Sequence, residues 1–257
     1  MDVSTLFSLE GRTALVTGGS RGIGKMIAEG FLRSGASVYI TSRKAEECDA
    51  TAEELSALGT CVSLPGDVST LDGINDLVAR FGEHESTLDV LVNNAGAAWG
   101  ADFEEFPEAG WDKVMDLNVK TPFFLTQALM PMITARKGDH LGKVINIASI
   151  DGLAVNAMET YSYHASKAGL VHLTRRMALR LAGDGVIVSA IAPGAFASKM
   201  NRDARDNADA LAESIPSGRI GNPEDMAAAA IYLASRAGDY VVGETLVVDG
   251  GVVHQPH

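Results

Sequence analysis

The chain has 257 residues, 46% of them hydrophobic and 21% charged, with a formal net charge of −12 at pH 7. This is ordinary globular composition, long enough to bury a core without disulfide or metal staples; the acidic balance works against nucleic acid and anionic membranes, and no run approaches the roughly 18 apolar residues of a membrane span. Residues 1–10 lack the basic start and long apolar stretch of a secretory signal, and Cys48 and Cys61 stand outside CxxC or metal spacing, so the expectation is a soluble, cytoplasmic protein with free thiols and no metal.

Along the chain, short β-branched runs alternate with stretches of helical period. A strand at 13–16 leads through a glycine-rich turn into a helix at 22–33. Strand 38–41 and helix 45–58 follow, then strand 61–64 and helix 71–81. Strand 88–92, a long helix at 110–136, strand 144–148 and helix 161–181 make up the middle. Strand 186–192, helix 223–234 and strand 245–248 complete the pattern. Seven apolar strands separated by helices predict a single-domain α/β unit: a doubly wound (Rossmann-type) seven-stranded parallel sheet with helices on both faces. The polar stretch that starts at Lys199, directly after a strand end, breaks the alternation; it reads as a mobile substrate lid around 199–215, or else as a solvated helix.

The first βα turn reads Thr17-Gly18-Gly19-Ser20-Arg21-Gly22-Ile23-Gly24. Glycines there let the backbone turn tightly and approach a pyrophosphate, whose charge is met by free N–H groups at a helix N-terminus. The spacing is TGxxxGxG, and from about Leu9 to Gly251 the chain resembles the short-chain dehydrogenase/reductase family. Later motifs follow in the family's order: Asp67-Val68 after the third strand, Asn93-Asn94-Ala95-Gly96 after the fourth, Asn118, Ser149, and Pro193-Gly194. The resemblance implies that Gly18, Ser20, Arg21, Gly22, Ile23 and Gly24 hold the cofactor phosphates and that Asp67 and Val68 hold the adenine. It also places Asn94, Ala95, Gly96, Pro193, Gly194 and Ser198 beside the cofactor. The second strand ends in Thr41-Ser42-Arg43-Lys44 with no carboxylate. An acid there would accept from ribose hydroxyls, whereas Arg43, with Arg21 approaching from the glycine turn and Ser42 alongside, offers a fork to a 2′-phosphate. The expected cofactor is therefore NADPH/NADP+.

Tyr163 and Lys167 lie four residues apart on a helix and share a face, and Ser149 ends a strand where ligands bind in open α/β sheets. A free phenol titrates near 10, and a nearby ammonium favours the phenolate. Lowering it by about 3 units corresponds to roughly 4 kcal/mol. Tyr163 then serves as acid in ketone reduction and as base in alcohol oxidation, with Ser149 holding the carbonyl oxygen. By resemblance, Lys167 also binds the nicotinamide ribose, Tyr163 adjoins the same ring, and Asn118 positions a water for proton relay; a mid-helix Asn that merely caps or distorts its helix is the other reading. Tyr161 has no cation four residues on, and His164 and His172 read as structural.

Together with the stretch 243–251 (GETLVVDGG), the whole set looks most like 3-oxoacyl-thioester reductases, especially the rhamnolipid-associated variant. The resemblance implies reduction of a 3-oxoacyl thioester on acyl carrier protein or coenzyme A, by a homotetramer joined through helices 110–136 and 161–181 and the C-terminal segment. An NADP(H)-dependent sugar, polyol or small-ketone dehydrogenase is the alternative, and a non-catalytic NADP(H)-binding regulator a second. Two features depart from the family. Phe196 and Ser198 follow Pro193-Gly194 where an aliphatic residue and Thr are usual, so Phe196 is expected to reshape the pocket. Asp184 stands where carrier-using reductases tend to have arginine, with Arg136, Lys137, Arg175 and Arg176 as basic compensation or a solvated face.

Overall fold

In the computed structural model, which describes residues 2–135, 140–198 and 201–255, the seven apolar runs pair into one parallel sheet of order β3-β2-β1-β4-β5-β6-β7. A short helix, α1 (Val3–Leu6), precedes β1 (Thr13–Thr17), α2 (Gly22–Arg33), β2 (Ser37–Thr41), α3 (Ala45–Leu55) and β3 (Cys61–Ser63). Next come α4 (Leu71–His84), β4 (Val90–Asn93), α5 (Glu108–Met115), α6 (Thr121–Thr134), β5 (Gly142–Ile147) and α7 (Tyr161–Leu181). The chain ends through β6 (Val186–Pro193), α8 (Arg202–Asp206), α9 (Ala208–Ala212), α10 (Pro223–Ala234) and β7 (Thr245–Val248). The order reverses between β1 and β4, which opens a crevice beyond the strand C-termini.

Strand alternation sorts the core into two layers. Ala14, Val16, Val38, Ile40, Val90 and Val92 point to one face, under Ile27 and Phe31 of α2, Cys48 and Leu55 of α3, and Met226 and Leu233 of α10. Leu15, Tyr39, Leu91, Val144 and Val188 point to the other, under Leu77 and Phe81 of α4, Leu125 and Leu129 of α6, and Met177 of α7. Covering both faces is what continuous apolar strands require.

The long helix expected over 110–136 is two helices separated by a wide π-turn over Asp116–Lys120. That turn points Asn118 inward, and Pro122 sits in the first turn of α6 where its missing N–H is harmless. The expected end of that helix at Arg136 lies outside the described residues. The helix expected over 45–58 stops at Leu55, and that expected over 71–81 runs on to His84. The polar stretch from 199 folds locally as α8 and α9; Lys199 itself lies outside the described residues.

Candidate active site

The glycine turn is latched to the loop after β4. Backbone N–H groups of Gly18 and Gly19 donate to the Thr41 carbonyl at 2.8 and 3.2 Å. The Thr17 hydroxyl accepts from the Asn94 and Ala95 N–H groups, each at 2.9 Å, and the Asn94 amide donates to the Thr17 carbonyl at 2.8 Å. Gly18 adopts φ +66°, in the left-handed region that favours glycine. A Cβ on Gly24 would lie 2.3 Å from the Gly18 carbonyl oxygen and 2.5 Å from the Asn94 amide nitrogen. So tight a turn brings the N-terminus of α2 to the crevice, and among the described residues no side chain caps it. Its orphan N–H groups form an anion cradle. Ser20 is buried, with its carbonyl accepting from the Thr51 hydroxyl at 2.9 Å, and a Cβ on Gly22 would lie 3.2 Å from the Cβ of Ser198.

At the end of β2, Ser42 is half-buried and Arg43 is exposed. Among the described residues Arg43 makes no ion pair, whereas Arg21 is held at 2.9 Å by Glu47 in the first turn of α3, which also takes Lys44 at 3.1 Å. Sequence reading missed Glu47, although an acid four residues after Arg43 was visible. Asp67 is exposed, accepting from the Ser69 N–H at 3.0 Å, and Val68 is buried. Gly194 donates to the Val248 carbonyl at 2.9 Å and so fixes the chain after Pro193.

The reacting groups converge at the end of β5. Ile147, its last residue, accepts from the Lys167 ammonium at 2.7 Å, and Ser149 lies two residues on. Lys167 sits 5.5 Å from the centre of the Tyr163 ring. Gly96 fits into the same corner: a Cβ there would be 3.2 Å from Asn118 Oδ1 and 3.9 Å from Lys167 Nζ. Burial pushes Tyr163 up to about 12; a hydrogen bond with Ser149 pulls it down and the Asp151 charge adds to the rise. Burial brings Lys167 down to about 8 against the opposing pull of Asp151. The expected depression of the phenol is opposed in the chain by itself, because a phenolate there loses its water. Burial therefore favours the protonated phenol at Tyr163.

Asn118 is buried with its amide committed. Its Oδ1 accepts from the Ala97 N–H at 2.8 Å, and its Nδ2 donates to the Ala97 carbonyl and to the Ser166 hydroxyl, both at 2.9 Å. Ser166 in turn donates to the Tyr163 carbonyl at 2.8 Å. The side chain clamps the loop after β4 to the helix that carries Tyr163, a contact that neither expected reading of Asn118 contained.

Phe196 is 2% exposed. Its ring is buried in the core, against Gly221, where a Cβ would meet it at 2.3 Å. It lines a separate recess of about 390 Å³ with Arg219, Asp249 and His254. Ser198 accepts from the Asn201 N–H at 3.0 Å. Asp184 pairs with Arg180 at 2.7 Å, Arg175 and Arg176 are exposed, and Arg136 and Lys137 lie outside the described residues.

Two features escaped sequence reading. Asp151, two residues after Ser149, influences both Tyr163 and Lys167. An aromatic array also rims the crevice: Tyr161 packs edge-on against Phe103 and Phe106 at 5.5 and 5.7 Å between ring centres, and Lys113 lies over Trp99 at 5.3 Å. Exposed Leu153, Val155 and Met158 follow Ser149 on the same side. Among the described residues there is no cluster able to hold a metal ion, and no helix is long and apolar enough to cross a membrane.

A family model described as enoyl-(acyl carrier protein) reductase matches residues 18–253. The chain is 47% identical, over 95% of its length and 97% of the relative's, to the rhamnolipids biosynthesis 3-oxoacyl-(acyl-carrier-protein) reductase of Pseudomonas aeruginosa. It is 40% identical, over 97% and 98%, to a 2-dehydro-3-deoxy-D-gluconate 5-dehydrogenase of Escherichia coli. Among solved structures, the RhlG/NADP active-site complex of Pseudomonas aeruginosa superposes with a TM-score of 0.93 at 46% identity, over 97% of this chain and 99% of that one.

Proposed function

This chain belongs to the short-chain dehydrogenase/reductase family and is an NADP-dependent oxidoreductase; from that premise we propose that it reduces a 3-oxoacyl thioester to the 3-hydroxyacyl thioester. The observation that carries the reading is the convergence of Ser149, Tyr163 and Lys167 beside the glycine cradle, with a protonated phenol at the reacting end.

The cradle fits the dinucleotide: an uncapped α2 N-terminus stands ready for the pyrophosphate at Gly18, Ser20, Arg21, Gly22, Ile23 and Gly24. Ser42 and Arg43, which makes no ion pair among the described residues, would take the 2′-phosphate, and Asp67 and Val68 would flank the adenine. Asn94, Ala95, Gly96, Pro193, Gly194 and Ser198 would enclose the nicotinamide half, with Lys167 on its ribose. When bound, NADPH supplies the hydride for the C3 carbonyl. Tyr163 gives its proton to the carbonyl oxygen, which the Ser149 hydroxyl holds by a hydrogen bond. Lys167 keeps positive charge beside the phenol as it becomes anionic, and Asn118 holds the Tyr163 helix in register with the loop after β4.

The apolar rim of Trp99, Phe103, Leu153, Val155 and Met158 supports an acyl substrate, delivered as a thioester of acyl carrier protein or coenzyme A. Residues 201–215 are the candidate substrate lid, and Ser198 and Arg205 bring that segment against the phosphate end of the cradle, where they line a recess of about 460 Å³ together with Ser20, Arg21 and Gly22. We further propose a cytoplasmic homotetramer, supported by the exposed Phe123 on α6, Leu179 on α7, and Tyr240 and Val242 before β7; light scattering measures it. The resemblance to the Escherichia coli dehydrogenase favours a second reading, an NADP(H)-dependent sugar, polyol or small-ketone dehydrogenase. NADPH oxidation measured with 3-oxoacyl thioesters of graded chain length and with a panel of sugar ketones separates the two. Turnover concentrated on the thioesters is expected, and turnover confined to the sugars would overturn the substrate assignment.

A further inference from the structure

Asp151 stands closer to the reacting groups than any role assigned so far requires. Its backbone N–H donates to the Ser149 hydroxyl at 3.1 Å. The turn it occupies lies directly on α7: a Cβ on Gly152 would come within 2.6 Å of the Lys167 carbonyl carbon. Its carboxylate accepts from the Asn156 amide at 2.9 Å and makes no ion pair among the described residues.

Among the described residues no charged group closes an ion pair on it, although His164 and Lys167 attract the charge and the Asn156 amide hydrogen-bonds to it. Lys167 and His164 act on it from α7 only through space. The Lys167 ammonium donates to the Ile147 carbonyl and keeps its charge, and His164 turns its Nδ1 to Thr160 at 3.1 Å. Tyr163, on the same helix, feels the Asp151 charge as repulsive to its own ionisation. Farther out, Asp102, Glu104 and Glu159 act on Tyr161 at the rim, while the rim cation Lys113 lies over Trp99. At a half-buried position such a charge acts on a second one nearby more strongly than it would in open water.

We propose that Asp151 determines the charge of the substrate: it rejects oxo compounds that carry a carboxylate near the reacting carbonyl and admits neutral ones. The inference rests on carbonyl reduction at Ser149 and Tyr163, and it deepens the thioester reading, since a 3-oxoacyl thioester carries no charge near its ketone whereas the free 3-oxo acid does. Leu153 and Val155, exposed just beyond Asp151, offer an uncharged chain the apolar contact that a carboxylate cannot use.

The test pairs two probes with the same ketone, ethyl 3-oxobutanoate and the 3-oxobutanoate anion, in NADPH oxidation by the wild type and by Asp151→Asn. The Asn variant keeps an oxygen for Asn156 and removes only the charge. The wild type should favour the ester by at least tenfold in kcat/KM, and the variant should cut that preference by roughly tenfold, equivalent to about 1.4 kcal/mol. A merely structural Asp151 would lower both rates together and leave their ratio unchanged, which would overturn the inference. Equal use of both probes by the wild type would overturn it as well, while leaving the carbonyl reductase reading intact. Reduction of neither probe would remove the inference together with the reading beneath it. Separately, ester preference without turnover of any 3-oxoacyl thioester would uphold the charge filter and sink only the substrate assignment.

Discussion

Replacing Asn118 by Ala tests whether this residue acts as a clamp. The side chain is 1% exposed and makes three hydrogen bonds, at 2.8, 2.9 and 2.9 Å, to both backbone groups of Ala97 and to Ser166. At about 1 kcal/mol net for each bond, the loss is roughly 3 kcal/mol. For a chain of this length, that corresponds to a fall in Tm of roughly 6–12 °C. Because Ser166 continues the chain of bonds to the Tyr163 carbonyl, kcat should fall with stability. Thermal unfolding followed by circular dichroism at fixed protein concentration, alongside NADPH-dependent turnover, gives both quantities. Lost turnover with an unchanged Tm would refute the clamp and return Asn118 to the proton-relay role that the family resemblance implies.

Three further outcomes follow from the same geometry. Gly24→Ala drives a Cβ against the Gly18 carbonyl oxygen and the Asn94 amide, so it should destabilise by about 1–3 kcal/mol and weaken NADPH binding in a fluorescence titration. Arg43→Ala should lower kcat/KM with NADPH by about tenfold, the loss of one charge-assisted contact, and leave NADH unaffected. Arg21→Ala should have a smaller effect, because Glu47 already holds that guanidinium; steady-state kinetics with both cofactors checks the pair. Lys167 is the pH test. Its folded value of about 8 lies below the ordinary 10.5, so the wild type gains stability as pH rises from about 8 to 10.5 and loses it as pH falls back, by about 3 kcal/mol in all. Lys167→Met should flatten that rise in urea titrations between pH 7 and 10, and an unchanged slope would show that the ammonium is not buried as described.

The parallel sheet was legible because its strands are short Val, Ile and Leu runs that need cover on both faces. Ser149, Tyr163 and Lys167 could be read as a group because each sits at a strand end or at helical spacing. The break at Asp116–Lys120 could not be read, since periodicity does not register one extra residue in a turn whose stability comes from the Asn118 contacts. The pairing of Arg21 with Glu47 was hidden for a related reason: it joins two helix starts 26 positions apart, and an exposed charge pattern does not say which acid reaches which base. At the opposite end of the sheet, Lys143 is buried and paired with Asp239 at 2.7 Å, a pairing that a strand sequence gives no means of anticipating. The rise of Tyr163 to about 12 has the same origin. Spacing reports the cation nearby, whereas burial depends on everything packed around the phenol.

The central claim is that Tyr163 supplies the proton for carbonyl reduction. Its most direct test is Tyr163→Phe, with NADPH affinity and ketone reduction measured on the same preparation. kcat should fall by about 10²–10⁴, the usual contribution of a positioned acid, with the Kd for NADPH changed by less than about threefold, since the ring is retained. Near-wild-type turnover in a variant that binds NADPH normally would contradict it.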